Sequence, residues 1–169
     1  DNHDTDRFLP EIPDSLGWWK QAMAFLLTSR GIPQIYYGTE ILMNGSREKS
    51  DGNVRKDFPG GFPDDTIDAF SHIGRTDIQN EAHDFLQKLL NWRKGNKVIS
   101  EGSLKHFMPE NGIYVYQRSL DGKNVTVIMN GNDTPVTTTM ERTLEILPYG
   151  SVLHDIISDT DFTVTETMT

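Results

Sequence analysis

The hydrophobic periodicity of this chain changes character once, close to Lys94–Val98. No single layer arrangement accommodates both patterns, so the change divides the chain before any other feature is considered. Upstream, Leu16, Trp19, Ala22, Met23, Leu26 and Leu27 recur at helical spacing between Asp14 and Arg30. Asp14 is the expected N-cap, and Gly31 followed by Pro33 is a stop signal. The next run, IPQIYYG, is short, apolar and closed by glycine, which predicts a fully buried strand of the parallel type. A Gly/Asp/Arg-rich loop then runs from about Met43 to Asn80. Ala82, Phe85, Leu86, Leu89 and Leu90 mark a second amphipathic helix, with Asn80 as its expected cap and Gly95 beyond its end. Helix, buried strand, long loop and helix is the order of a βα parallel architecture, but one strand cannot make such a sheet alone. The first half therefore reads as an incomplete α/β domain.

Downstream, IYVYQRS and NVTVIMN flank Asp121-Gly122, a strong hairpin turn. TTTMER, TLEIL, SVLHDII and FTVTETM follow at short spacing, separated by turn residues. Several short strands in succession predict an antiparallel β-sandwich. The expected division is residues 1–96 and residues 97–169.

Composition narrows the functional classes. A formal charge of −9 argues against nucleic acid and anionic membranes as partners, since phosphate binding needs a cationic surface. No run approaches the ~18 apolar residues of a membrane helix. The chain has no cysteine, which removes disulfides, zinc–thiolate sites and thiol catalysis together.

The polar density at the start, DNHDTDRFL, resembles the rim of an active site more than a chain terminus. With no Met and no apolar leader before it, the expectation is that this is a piece of something larger. Taken alone, the cluster also fits a solvated acidic terminus or a capping run ahead of Asp14. A metal site from Asp1, His3, Asp4 and Asp6 is not expected, because the spacing fits no known loop and Ca²⁺ does not choose imidazole. No cofactor is expected either.

NHDTDRF followed by RGIPQIYYGTEI resembles the α-amylase family of glycoside hydrolases, and DGNVRKDFPGGF points to its neopullulanase and cyclomaltodextrinase branch. The resemblance is strong over about residues 1–95 and weaker beyond. It implies a retaining hydrolase of starch-derived α-glucans, built as a (β/α)₈ TIM barrel with an all-β domain after its last helix. Asn2, His3 and Asp4 would lie at the end of the seventh barrel strand, IPQIYYG would be the eighth, and barrel active sites occupy that face. Retaining hydrolysis needs a nucleophile and a general acid about 5–5.5 Å apart. In the family these come from earlier strands, so the chain alone is expected to be inactive.

The match assigns Asp4 and His3 as groups that stabilise the transition state by hydrogen bonds to the sugar. Asn2, Arg55 and Asp57 are the candidate substrate-binding residues, although loop structure is the plainer reading of Arg55 and Asp57. Arg7 is expected to support the rim through salt bridges, and Glu40 to anchor it. Tyr36 and Tyr37 are expected to be buried packing, Trp19 to join the helix's apolar face and Trp92 to pack at the domain junction. His72, His83, His106 and His154 carry no partner pattern. Missing strands would leave IPQIYYG unpaired, so self-association is expected. The family's β domain normally closes with one further strand, so the expectation is that either this strand has been cut away or the sandwich is one strand short.

A non-catalytic glucan-binding or structural β-sandwich module is the alternative. The resemblance leaves periplasm and cytoplasm both open, and does not separate hydrolase from transglycosylase.

Overall fold

A computed structural model describes residues 1–168 apart from 10 and 14. Asp14, expected to cap the first helix, lies outside the described residues. The chain forms two compact units: Asp1–Leu27 with Ile32–Asn91, and Thr28–Gly31 with Trp92–Thr169.

In the first unit, helix α1 (Gly17–Thr28) buries Trp19, Met23 and Leu27 on one stripe, as the four-residue spacing requires. Gly31, at φ 127°, turns the chain beyond its end in a conformation that side chains disfavour. A one-turn helix α2 (Asp51–Val54) lies within the long loop. Helix α3 (Asp77–Lys94) buries Ala82, Leu86 and Leu89. Trp19 of α1 meets Phe85 of α3 edge-on at 6.2 Å, and Lys20 pairs with Glu81 at 2.6 Å.

Two expectations for this unit are corrected. Asn80 does not cap α3 but lies buried inside it, donating to the His72 carbonyl at 3.0 Å and accepting from Arg75 at 2.8 Å. The cap is a box of Thr76 and Gln79. The Thr76 amide donates to Gln79 Oε1 at 3.0 Å, and the Gln79 amide donates to Thr76 Oγ1 at 3.4 Å. The second correction concerns IPQIYYG, which forms no strand. A strand exists only through a ladder to a neighbour, and no strand pairs with this segment among the described residues. Ile32, expected to be buried, is 98% exposed. Both helices expected in this half are present, but the strand expected between them is not found among the described residues.

The second unit opens with helix α4 (Lys97–Glu101), whose N-cap Asn96 accepts from the Val98 amide. Strands β1 (Ser103–His106), β2 (Ile113–Leu120) and β3 (Lys123–Asn130) form an antiparallel meander in the order β1-β2-β3. Leu120 pairs with Lys123 across Asp121-Gly122, both at positive φ, which is the geometry that the Asp-Gly sequence predicts. Strand β4 (Thr138–Thr139) pairs with β7 (Thr167–Met168), and β5 (Val152–Asp155) with β6 (Thr160–Thr163). The sheets are antiparallel and open, in a sandwich-like unit. A small core of Met140, Leu147 and Val164 receives Ile146, Leu153 and Met168.

TLEIL is not a strand. A 3₁₀ turn spans Glu141–Thr143, and the Leu147 amide donates to the Thr143 carbonyl at 2.8 Å. Met140, Thr143 and Leu147 are all buried, at intervals of three and four, which is helical spacing rather than alternation.

Tyr116 on β2 is 1% exposed, and its hydroxyl lies 2.5 Å from that of Thr28. Burial pushes the phenol up to about 12. An unfolded tyrosine titrates near 10, so folding favours the neutral phenol. That stabilisation is complete below pH 10 and is lost as the pH rises through 12. The second unit is expected to lose roughly 2–3 kcal/mol across this window. Urea melts on either side of it test this, and Tyr116→Phe should flatten the dependence. An equally steep loss in that variant would refute the assignment.

Candidate functional site

The first residues fold back on themselves. The Asp4 amide donates to Asn2 Oδ1 at 2.8 Å, and the Asn2 amide donates to Thr5 Oγ1 at 3.0 Å. Such Asx turns follow from a short side chain that competes for its neighbours' amides. The turn places His3 Nε2 3.1 Å from Asp4 Oδ2.

Two arginines from the loop around α2 close on this turn. Arg55 Nε donates to the His3 carbonyl at 2.8 Å, and its Nη2 reaches Asp4 Oδ1 at 3.2 Å. Arg47 Nη1 donates to the Asp4 carbonyl at 2.7 Å, and its amide donates to Asp6 Oδ1 at 2.5 Å. Asp51 lies 3.5 Å from Arg47 Nε and 3.6 Å from Arg55 Nη2, four residues from each. Ser50 sets this geometry by accepting from the Asn53 amide at the start of α2.

Of the expected site residues, Asn2, His3, Asp4 and Arg55 are therefore brought together. Asp57 is not: its carboxylate has no hydrogen bond or ion pair among the described residues. Arg47 and Asp51 are partners that reading the sequence missed. Their signal is the pattern R-x-x-x-D-x-x-x-R, which puts three alternating charges on one side of a helical turn.

The cluster is open to solvent, with His3 and Asp4 side chains 63% and 65% exposed. Exposed ion pairs are worth about 0–1 kcal/mol each, so the network orients Asp4 more than it stabilises the unit. One Asp4 oxygen faces His3 and the other faces Arg55, and each keeps lone pairs for further donors. Such a carboxylate suits hydroxyl donors from a neutral polyol.

Arg7 stands behind the cluster, and its expected salt bridges are corrected. It is 3% exposed, and its partners are carbonyls and rings rather than carboxylates. Nε donates to the Val54 carbonyl at 2.9 Å and Nη1 to that of Tyr37 at 2.5 Å. The guanidinium sits 4.2 Å from the Tyr36 ring centroid and 4.7 Å from that of Tyr37. A carboxylate there would need desolvation as well, whereas backbone carbonyls are already present. The tyrosines flank a cation rather than fill a core, and Tyr37 is 39% exposed. Trp19 is buried as expected, and Trp18 is 75% exposed.

Comparison with known proteins agrees with the resemblance. The sequence profile of the cyclo-malto-dextrinase C-terminal domain matches residues 104–169. A cyclomaltodextrin glucanotransferase of Niallia circulans is 33% identical over 168 residues, 98% of this chain and 21% of that protein. An α-amylase of the same organism is 32% identical over 168 residues, 97% of this chain and 28% of its own length. The structure of a γ-cyclodextrin-type glucanotransferase (γ-CGTase) from alkalophilic Bacillus clarkii superposes with a TM-score of 0.67 at 28% identity, covering 98% of this chain and 22% of that one. The chain thus spans about 18–28% of the length of these curated relatives.

Proposed function

Because the chain is homologous to the α-amylase-family glycoside hydrolases over nearly its whole length, we propose that it is a non-catalytic part of a glucan-active protein, with its β-rich unit as a glucan-binding or structural module. The observation that carries this reading is the match of the cyclo-malto-dextrinase C-terminal domain to residues 104–169. The makeup of the N-terminal cluster supports it. Retaining glycosidases need two carboxyl groups about 5–5.5 Å apart, one of them protonated. Asp4 and Asp51 instead both pair with Arg55, so neither carboxylate stands free as one of two facing catalytic groups. The test is to incubate the purified chain with maltoheptaose and measure both binding and reducing-sugar release. Binding without release is expected, and reducing-sugar release by the purified chain would overturn the reading.

A specific observation favours a second role, in the longer protein. Arg55 holds Asp4 from 51 residues away, so this carboxylate is aimed and not merely solvated. In that reading residues 1–96 complete a (β/α)₈ barrel, and Asp4 and His3 hold a sugar ring through its transition state. Asn2 and Arg55 would position them. Asp4→Asn in the longer enzyme should then lower glucan turnover by ~10²-fold or more, the scale of losing one electrostatic contact to the transition state. Unaltered turnover with intact folding would remove the assignment. Whether the reaction is hydrolysis or glucanosyl transfer depends on acceptor subsites outside this segment.

A further inference from the structure

The second unit contains a cleft of about 540 Å³, walled on one side by the end of α3 and the start of α4 and on the other by the β2–β3 turn. Its lining includes Trp92, Asn96, Lys97, Val98, Asp121 and Lys123. From these residues we infer a neutral oligosaccharide site in which a short α-glucan lies against the Trp92 indole. The proposal rests on reading the β-rich unit as a glucan-binding module, and gives that module a location.

The chemistry follows from the lining. Trp92 is half-buried, so the ring is held by packing and one part of it stays accessible. An indole offers the largest rigid apolar face among side chains, and its N–H is a donor that wants a partner. Among the described residues that N–H has none, and the side-chain charges of Lys97, Asp121 and Lys123 have no ion pair or hydrogen bond. Lys97, Asp121 and Lys123 are exposed, so their charged ends are available to the hydroxyls of a ligand in the cleft. Asn96 commits its Oδ1 to the Val98 amide at 3.1 Å, which fixes the side chain and leaves its amide N–H₂ to donate.

Sugar rings present apolar C–H faces with hydroxyls around the edge, each both donor and acceptor. A face for the ring, with a carboxylate acceptor and ammonium and amide donors at its edge, matches that pattern. The volume lies within the ~300–1,000 Å³ of small-ligand clefts. An anion would meet Asp121 as well as Lys97 and Lys123, so phosphate competition is the test that separates it from a neutral ligand. A purely apolar ligand would have to desolvate three charges. The β2–β3 turn is also well suited to carry contacts, since the tight Asp-Gly hairpin holds Asp121 in the turn and Lys123 at the end of the ladder.

The experiment is calorimetric titration of the whole 169-residue chain with maltoheptaose and β-cyclodextrin, repeated for Trp92→Ala, Trp92→Tyr, Lys123→Ala and Trp18→Ala. Trp92→Ala is expected to weaken binding ~10-fold or more, as truncating a central aromatic contact does. Trp92→Tyr should recover most of it, Lys123→Ala should lose ~3–10-fold, and Trp18→Ala should bind like wild type. Lys123→Ala lies in the turn and keeps the proposal testable if Trp92→Ala fails to fold. Wild-type binding that neither variant weakens overturns the cleft while leaving the module reading intact. Absence of wild-type binding overturns the cleft and the glucan-binding role of the module together, leaving a structural one. Equal competition by inorganic phosphate would show an anion site and overturn the oligosaccharide assignment.

Discussion

Arg118→Met is expected to destabilise the β-rich unit by about 2–4 kcal/mol, measured by urea unfolding at neutral pH. Arg118 is 2% exposed in the middle of β2. Its Nη2 donates to the Gly102 carbonyl at 2.6 Å, Nη1 to Ser29 at 2.9 Å and Thr28 at 3.4 Å, and Nε to Ser103 at 3.3 Å. Burial, reinforced by the charges of Arg93 and Arg30, holds the guanidinium below the usual arginine value. Two effects therefore oppose each other in the variant. Removing a desolvated cation is favourable, and methionine retains much of the buried stem. Against that, the Gly102 carbonyl stays buried and the Ser29 carbonyl half-buried without their donor, and backbone acceptors cannot be mutated away. Replacing a buried ion by an apolar group is neutral only when its partners are replaced as well. The loss of donors therefore wins. Arg118→Lys should fall between the two, because one ammonium cannot reach carbonyls on opposite sides of a fork. A stability for Arg118→Met within ~0.5 kcal/mol of wild type would mean that water takes over the acceptors.

This arginine also marks a limit of reading a sequence. IYVYQRS registers as an alternating strand, and it is one, but alternation implies that Gln117 or Arg118 faces water. Both are buried, Gln117 bonding to Thr126 at 3.0 Å and to the Ile146 carbonyl at 3.2 Å. A polar side chain enters a core when acceptors from distant segments converge on it, and sequence periodicity carries no trace of those segments. The elements that were legible are those governed by near neighbours: the buried stripe of α1, the apolar face of α3 and the Asp-Gly hairpin. Those misread depend on a partner elsewhere. IPQIYYG has a strand's composition but no strand to pair with. TLEIL has a strand's hydrophobicity, yet Met140 and Leu147 are drawn to one core with Val164 and so adopt a helical turn. The true cap of α3 was legible in principle, since Thr76 and Gln79 stand at capping-box spacing.

At the candidate site the division is similar. Asn2, His3 and Asp4 are contiguous and were recognisable by motif, and Arg55 was a candidate through its loop. Arg47 and Asp51 are marked only by their four-residue charge spacing with Arg55, a weak signal until the turn at α2 brings the three charges to one edge. Asp57 shared the loop and the resemblance but not the geometry. Membership of a motif-bearing segment identifies a neighbourhood, while hydrogen-bond reach decides which residues take part.

Arg7→Met should cost the first unit about 2–4 kcal/mol and release the loop that presents Arg55. Arg7 ties three stretches together: its amide donates to the Gly45 carbonyl at 3.0 Å, and its guanidinium reaches Tyr37 and Val54. Val54 is fully buried and immediately precedes Arg55, so the bond to its carbonyl sets where the Arg55 side chain begins. The two tyrosine rings add cation–π attraction, each worth ~0.5–2 kcal/mol where water is excluded. One term acts the other way, since Nη2 is buried and has no partner among the described residues, and methionine would remove that penalty. Two carbonyl bonds and two ring contacts outweigh one unpaired N–H. Arg7→Lys discriminates further. Lysine keeps the charge near the rings but cannot serve Val54 and Tyr37 with a fixed fork, so it should recover less than half of the loss. The readout beyond stability is hydrogen exchange at the amides of residues 44–56. If Arg7 positions Arg55, these amides should exchange faster in Arg7→Met under conditions where the amides of α3 stay protected. Uniform acceleration across the whole unit would instead make Arg7 a general stabiliser, and the Arg55–Asp4 contact would then owe nothing specific to it.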